Sequence, residues 1–293
     1  MNSRDIVQAD ALAIATQHKR CGLGISMGVG KTRIAIEHLK KNYNPFIKAL
    51  VVIPKTSVMK SWLDELDKIN DTVLEDHITF TTYLSLKKRN PNDYDIVYLD
   101  ECHSILPGHE IFLSQFQGKI LGLTGTPPRN KQSDKGKLVQ KYCPIRYSFD
   151  VDRATDSKIL NDYKIIVHQL ELSKLPTLKK KNKNGGHWWT SEYKDYNYVT
   201  SRLADAQSQK QIQFARIMRM RALMDYTSKE SYVKSMIKNI DSKCIVFANT
   251  QAQAETATCH ILCYKSTQDE KWVESALKSF DDNKIKLYNP LNK

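Results

Sequence analysis

The chain is 293 residues long, 41% apolar and 26% charged, a balance that argues against global disorder or a fibrous architecture and allows two ordinary domains. Its 45 Lys and Arg against 32 Asp and Glu give a formal charge of +13, and its six cysteines show no C-x-x-C pairing, which disfavours a disulfide scaffold and a zinc site. No run reaches the ~18 apolar residues of a membrane span, and the N-terminus is too polar for a signal peptide, so a soluble cytoplasmic protein with no membrane partner is expected.

In chain order, apolar residues at helical spacing predict helices over 32–41 and 57–69. Short runs rich in branched residues predict buried strands at 49–53, 77–80, 95–99 and 119–123. Strands alternating with helices imply a parallel sheet covered on both faces, an α/β fold. An extended apolar stretch at 164–172 follows, then a lysine-rich segment at 179–186 with the composition of a mobile loop, and two or three helices between 191 and 240. A second α/β series closes the chain, with strands predicted at 243–247, 260–264 and 284–288 and helices at 251–258 and 269–280. The domain expectation is therefore 1–150 and 151–293, with a helical, basic insertion at about 178–240.

Charge is uneven along this plan. Residues 1–150 hold 21 basic and 16 acidic side chains, and residues 151–293 hold 24 and 16. Most of the second half's excess lies in Leu178–Met224, with ten Lys or Arg against Glu192, Asp195 and Asp205. Such a stretch is either the footprint of a polyanion or a solvated face. Beside the lysines, Trp188 and Trp189 either stack on bases or anchor a loop to a core. Arg216 and Arg219, three apart, share one helical face, along a nucleic-acid path or in solvent.

Two motifs carry chemistry. Gly28-Val29-Gly30-Lys31-Thr32 precedes a predicted helix; its glycines let main-chain N–H groups curl around phosphate oxygens, Lys31 can reach the β- and γ-phosphates, and the Thr32 hydroxyl can ligate Mg²⁺. Ile25 breaks the strict G-x-x-x-x-G-K-[ST] pattern. At the end of the 95–99 strand stand Asp100 and Glu101: the first can hold Mg²⁺ through water, the second can orient or deprotonate a water attacking the γ-phosphate.

With Asp100-Glu101-Cys102-His103 as a D-E-x-H box and Leu123-Thr124-Gly125-Thr126-Pro127-Pro128 as the motif III that follows it, the sequence resembles a superfamily 2 helicase or translocase, a two-RecA-domain ATPase. Met27 before the glycine turn resembles the M-G-x-G-K-T form of remodeller-type translocases and many viral helicases, which does not require glycine at position 25, and the stretches Ile159 to Leu172 and Ala215 to Met224 resemble helicases of bacteriophages and large viruses. The resemblance implies two RecA-like domains, ATP and Mg²⁺ as cofactors, and a nucleic-acid partner, DNA ahead of RNA.

Carried over position by position, it makes Lys31, Glu101 and His103 catalytic. ATP is bound by Gln8, Met27, Gly28, Val29, Gly30, Lys31, Thr32 and Arg33, with Thr32 and Asp100 at the metal. Gln8 would read the adenine edge, and His103 would bond Thr124, Gly125 or Thr126 and link the ATP site to domain closure. Pro54, Lys55 and Thr56 (motif Ia), Thr81, Thr82 and Tyr83 (motif Ic), and Asn249 and Thr250 (motif IV) would contact nucleic acid. No Q-x-x-G-R-x-x-R motif with its arginine finger occurs, so an incomplete second domain is expected, through an interrupted reading frame, a second polypeptide that supplies the remaining motifs, or a specialised short form. The alternative reading is a nucleic-acid- or partner-binding protein that binds ATP and hydrolyses it poorly alone.

Overall fold

A computed structural model describes residues 3–69, 72–182, 184–239, 245–248, 253, 262–263 and 287–290. Contacts divide the chain into a unit ending at Ile165 and a unit beginning at Ile166. This break lies 15 residues beyond the expected one, because the turn of helix after residue 150 buries Ala154 in the first unit's core. Among the described residues no helix is long and apolar enough to cross a membrane.

The first unit runs α1 (Ser3–Gln17), β1 (Arg20–Ile25), α2 (Lys31–Lys41), β2 (Ala49–Ile53), α3 (Met59–Ile69), α4 (Thr72–Glu75), β3 (Ile78–Thr82), β4 (Ile96–Asp100), α5 (Glu110–Leu113), β5 (Lys119–Thr124), α6 (Asp134–Tyr142), β6 (Ile145–Phe149) and α7 (Val151–Asp156). Its six strands pair in the order β3-β2-β4-β5-β1-β6, all parallel. The α/β expectation holds, and the strand sequences explain why. Ala49, Val51 and Ile53 belong to one apolar cluster, with α1 and α2 residues such as Ala11 and Ile34. Leu50 and Val52 belong to the other, with Phe112, Phe116 and Val139. A strand apolar at every position fits only a sheet buried on both sides.

Two strands went unread in the sequence, β1 and β6. In β1 a Cβ on Gly22 would stand 2.4 Å from the Cys143 carbonyl oxygen, so the neighbouring chain excludes any side chain there. The glycine that weakens the strand signal is what lets β6 approach. On α2, His38 is buried, with Nδ1 3.0 Å from the Tyr98 hydroxyl, and burial lowers its pKa to about 4. A neutral imidazole thus serves as part of the core.

The second unit carries a hairpin of β7 (Leu178–Lys181) and β8 (His187–Thr190), then α8 (Glu192–Ala204), α9 (Gln209–Asp225) and α10 (Ser228–Lys238), and a parallel sheet in which β11 (Leu287–Pro290) lies between β10 (Leu262–Cys263) and β9 (Ile245–Ala248). The late strands fall close to their expected places; the helices expected at 251–258 and 269–280 lie outside the described residues, Gln253 apart. The stretch 164–172 forms neither helix nor strand, and Ile165, Ile166 and Val167 are exposed.

Of the segment expected to be a loop, Lys179–Lys181 belong to strand β7, paired antiparallel with β8, and Asn182 with 184–186 belongs to the turn between them. The ion pair of β7 supplies the reason. Lys180 Nζ lies 2.8 Å from Asp195 Oδ2, which also accepts from the Tyr226 hydroxyl at 3.2 Å. Beside it Glu192 is fully buried; burial alone would raise its pKa, but the amides of Ser228 and Ser173, each donating at 3.0 Å, hold the carboxyl below its ordinary value.

Candidate nucleotide-hydrolysis site

The strand order decides where the motifs meet. β4, β5 and β1 are consecutive neighbours, and the register sets Gly24 opposite Thr124 and Asp100 opposite Leu123. The glycine turn after β1, the carboxylates after β4 and the threonines after β5 therefore emerge side by side at the carboxyl edge of the sheet, where α/β folds bind ligands.

The turn is a loop whose conformation only glycine holds without strain. Gly28 has φ 81° and Gly30 φ 104°, both left-handed, and a Cβ on Gly30 would stand 2.4 Å from Gln8 Nε2. Gln8 donates that amide proton to the Val29 carbonyl at 2.7 Å, so α1 braces the loop from behind. Lys31 opens α2, and the position a Cβ would take on Gly125 is 3.5 Å from Lys31 Nζ and 3.4 Å from Met27 Cγ. The loop and the tail of β5 are thus packed together. Arg33 lies against Glu65 of α3 at 3.8 Å.

Asp100 is buried, and its Oδ2 accepts the Trp62 indole N–H at 3.1 Å, while Tyr83 donates its hydroxyl to the Asp100 carbonyl at 2.9 Å. Burial raises the Asp100 pKa and the Trp62 bond opposes that rise. Removing the donor leaves a buried carboxylate short of a partner. Trp62→Phe is therefore expected to cost about 1.5–3 kcal/mol of stability, read as a lower urea midpoint at unchanged slope; an unchanged midpoint would sink the assignment.

Glu101 sits at φ 51°, ψ 56°, a left-handed conformation uncommon for any residue but glycine and concentrated at functional sites. Its Oε2 accepts the Thr124 hydroxyl at 3.3 Å. Thr124 Oγ1 also accepts the Thr126 N–H at 3.0 Å and lies 2.8 Å from His103 Nδ1. One hydroxyl has one proton and two lone pairs, so this set is satisfied when His103 carries its proton on Nδ1. Thr126 Oγ1 stands 3.4 Å from the same nitrogen and Glu101 Oε2 3.3 Å from it. The expected link between His103 and the threonines is present, with buried Thr124 as its centre.

A cleft of about 790 Å³ is lined by Gln8, Gly28, Lys31, Thr32, Asp100 and Glu101, among others from α1 and α3. Two observations test its fit to a magnesium nucleotide. Ser26, where the loop begins, is buried, and its hydroxyl has no hydrogen-bond partner in the protein. Among the described residues no three His, Cys, Asp or Glu side chains gather as a metal cage, whereas Thr32 with Asp100 suits Mg²⁺, which takes one or two protein ligands plus substrate phosphates. The residues present fit the group.

Residues 3–129 match the family model described as the res subunit of type III restriction enzymes. This match covers less than half of the chain, all of it within the first unit. Among solved structures, a fragment described as an HsdR subunit of a type I restriction enzyme from Vibrio vulnificus is 16% identical, with a TM-score of 0.54 over 97% of this chain and 53% of that one. At that identity the likeness is one of fold, and with the strand order it bears out an α/β RecA-like domain. The Pyrococcus furiosus Hef helicase domain gives 13% identity and a TM-score of 0.48, covering 99% of this chain and 86% of that one. The Sulfolobus solfataricus SWI2/SNF2 ATPase core in complex with double-stranded DNA gives 14% and 0.39, covering 97% and 76%. No match was found among curated proteins.

The expected nucleic-acid residues divide. Pro54, Lys55 and Thr56 follow β2, with Lys55 and Thr56 exposed, and Thr82 ends β3 opposite Ile53, so these four share the sheet's carboxyl edge. Thr81 and Tyr83 are both buried: Thr81 Oγ1 accepts from Arg89 at 3.4 Å and the Tyr83 hydroxyl donates to the Asp100 carbonyl. Asn249 and Thr250 lie outside the described residues. Trp188 and Trp189 are 47% and 61% exposed. Arg216 is exposed on α9 and Arg219 half-buried. Sequence reading missed the brace from Trp62 to Asp100, because nothing in a linear pattern pairs an indole with a carboxylate 38 positions away.

Proposed function

We propose that the protein hydrolyses ATP and couples this to moving along or remodelling nucleic acid, with DNA ahead of RNA, as a helicase or translocase. The observation that carries the reading is the bond from Thr124 to Glu101, which holds a carboxylate at the mouth of a phosphate-binding turn. The main chain of 28–32 and the Lys31 ammonium would bind the β- and γ-phosphates, and Thr32 with Asp100 would hold Mg²⁺. When bound, the ion neutralises phosphate charge.

Glu101 takes the proton of the attacking water through Oε2, the oxygen Thr124 orients, and His103 holds Thr124 in turn. Pro54, Lys55, Thr56 and Thr82 would meet a phosphate backbone with a helix N-terminus and hydroxyls. Asn249 and Thr250 are proposed to do so on the second unit. Phosphate release with and without single-stranded DNA or RNA tests the reading. A rate that rises with nucleic acid is expected. ATP binding without turnover would favour the alternative, a binding protein that hydrolyses poorly alone, and failure to bind ATP would overturn both.

A further inference from the structure

The hairpin β7–β8 contains none of the residues assigned above to hydrolysis. Strand alternation sorts its side chains: Lys180 pairs with Trp188 and Leu178 with Thr190 on the face that packs inward, while Lys179 pairs with Trp189 and Lys181 with His187 on the other. The inward face is fastened by the Lys180–Asp195 ion pair and by Leu178 against Val199, Ala222 and Tyr226. The outer face has no such fastening. Lys179, Lys181, His187 and Trp189 are all exposed, and the 13 residues 178–190 include four lysines and no carboxylate.

We propose that this outer face is a binding site for single-stranded nucleic acid, a base stacking on the Trp189 indole while Lys179 and Lys181 neutralise the flanking phosphates. The inference rests on the nucleic-acid reading above and assigns it a place. The charge selects a polyanion over an apolar protein partner, because lysines flank the only large apolar group on this face. The indole selects a single strand over a duplex, because a paired base offers its face only after unstacking. A rigid strand pair, tied down on one side, presents the platform with little ordering left to cost on binding.

The test is binding of the full chain, without nucleotide, to a labelled oligothymidylate and to a duplex of the same length. Trp189→Ala is expected to weaken the single strand about tenfold while leaving the duplex nearly unchanged, and Trp189→Phe to keep most of the affinity. With Lys179→Gln and Lys181→Gln together, the slope of log K against log salt should fall in magnitude by about 1.4. An unaltered unfolding midpoint checks that these exposed replacements leave the fold intact.

If wild-type protein binds the oligomer and Trp189→Ala binds it equally well, the hairpin inference fails and the nucleic-acid reading stands. If wild type binds neither ligand, that reading fails first. An equal loss on single strand and duplex would overturn base stacking in favour of charge alone. A concentration-dependent dimer abolished by Trp189→Ala would assign the face to a second copy of the chain.

Discussion

Glu101→Gln is expected to lower ATP turnover by about 10²- to 10⁴-fold while leaving nucleotide affinity close to wild type. Glutamine keeps the length of the side chain and an oxygen able to accept the Thr124 hydroxyl, so the bond network and the left-handed backbone at φ 51° both survive. What disappears is a group that can take a proton. Single-turnover phosphate release, measured beside binding of a fluorescent nucleotide, separates the two. Turnover within a few-fold of wild type would move the base elsewhere, and a parallel loss of affinity would mean that Glu101 holds the nucleotide.

Lys31→Ala is expected to act on binding as well. The ammonium stands at the first position of α2 against the tail of β5, where it can reach phosphates cradled by the turn. Losing one charge-assisted hydrogen bond of ~1.5–3 kcal/mol weakens binding by about 10- to 150-fold. The same charge opposes the negative charge of the transition state, so turnover at saturating ATP should fall by a further 10²–10³ or so. Calorimetric titration and steady-state hydrolysis give the two numbers. Lys31 is half-buried at the rim of the cleft, so the unfolding midpoint should move little. An affinity unchanged by this replacement would refute phosphate binding at the turn.

What the sequence made legible follows from how each element is stabilised. β2, β4 and β5 could be read because burial on both faces forces an apolar residue at nearly every position. β1 could not, since the two glycines that admit its neighbours are the residues that weaken a strand signal. β6 is an edge strand, half-exposed and interrupted by Arg146 and Ser148. Helix α1 buries only Val7, Ala11 and Ala15, too small a stripe to stand out. Strand β7 was mistaken for part of a loop because a lysine run looks solvated, whereas Lys180 is held by a carboxylate 15 positions on.

The site was legible wherever chemistry demands fixed spacing along the chain, as in Gly28 to Thr32 and Asp100 to His103. It was illegible where a side chain works across the fold. Trp62 on Asp100 and Tyr83 on its carbonyl are contacts between elements that no linear pattern announces.

The order of the six strands has one more consequence. β4, β5 and β1 are interior, each clamped by hydrogen bonds on both sides, while β3 and β6 form the borders. The tips that carry the glycine turn, Asp100, Glu101 and Thr124 are thus the least free to drift, and the tips beyond β3 and β6 can lengthen or change without disturbing them. Insertions and substitutions are then tolerated best at the borders of the sheet, leaving the cleft at its centre as it was.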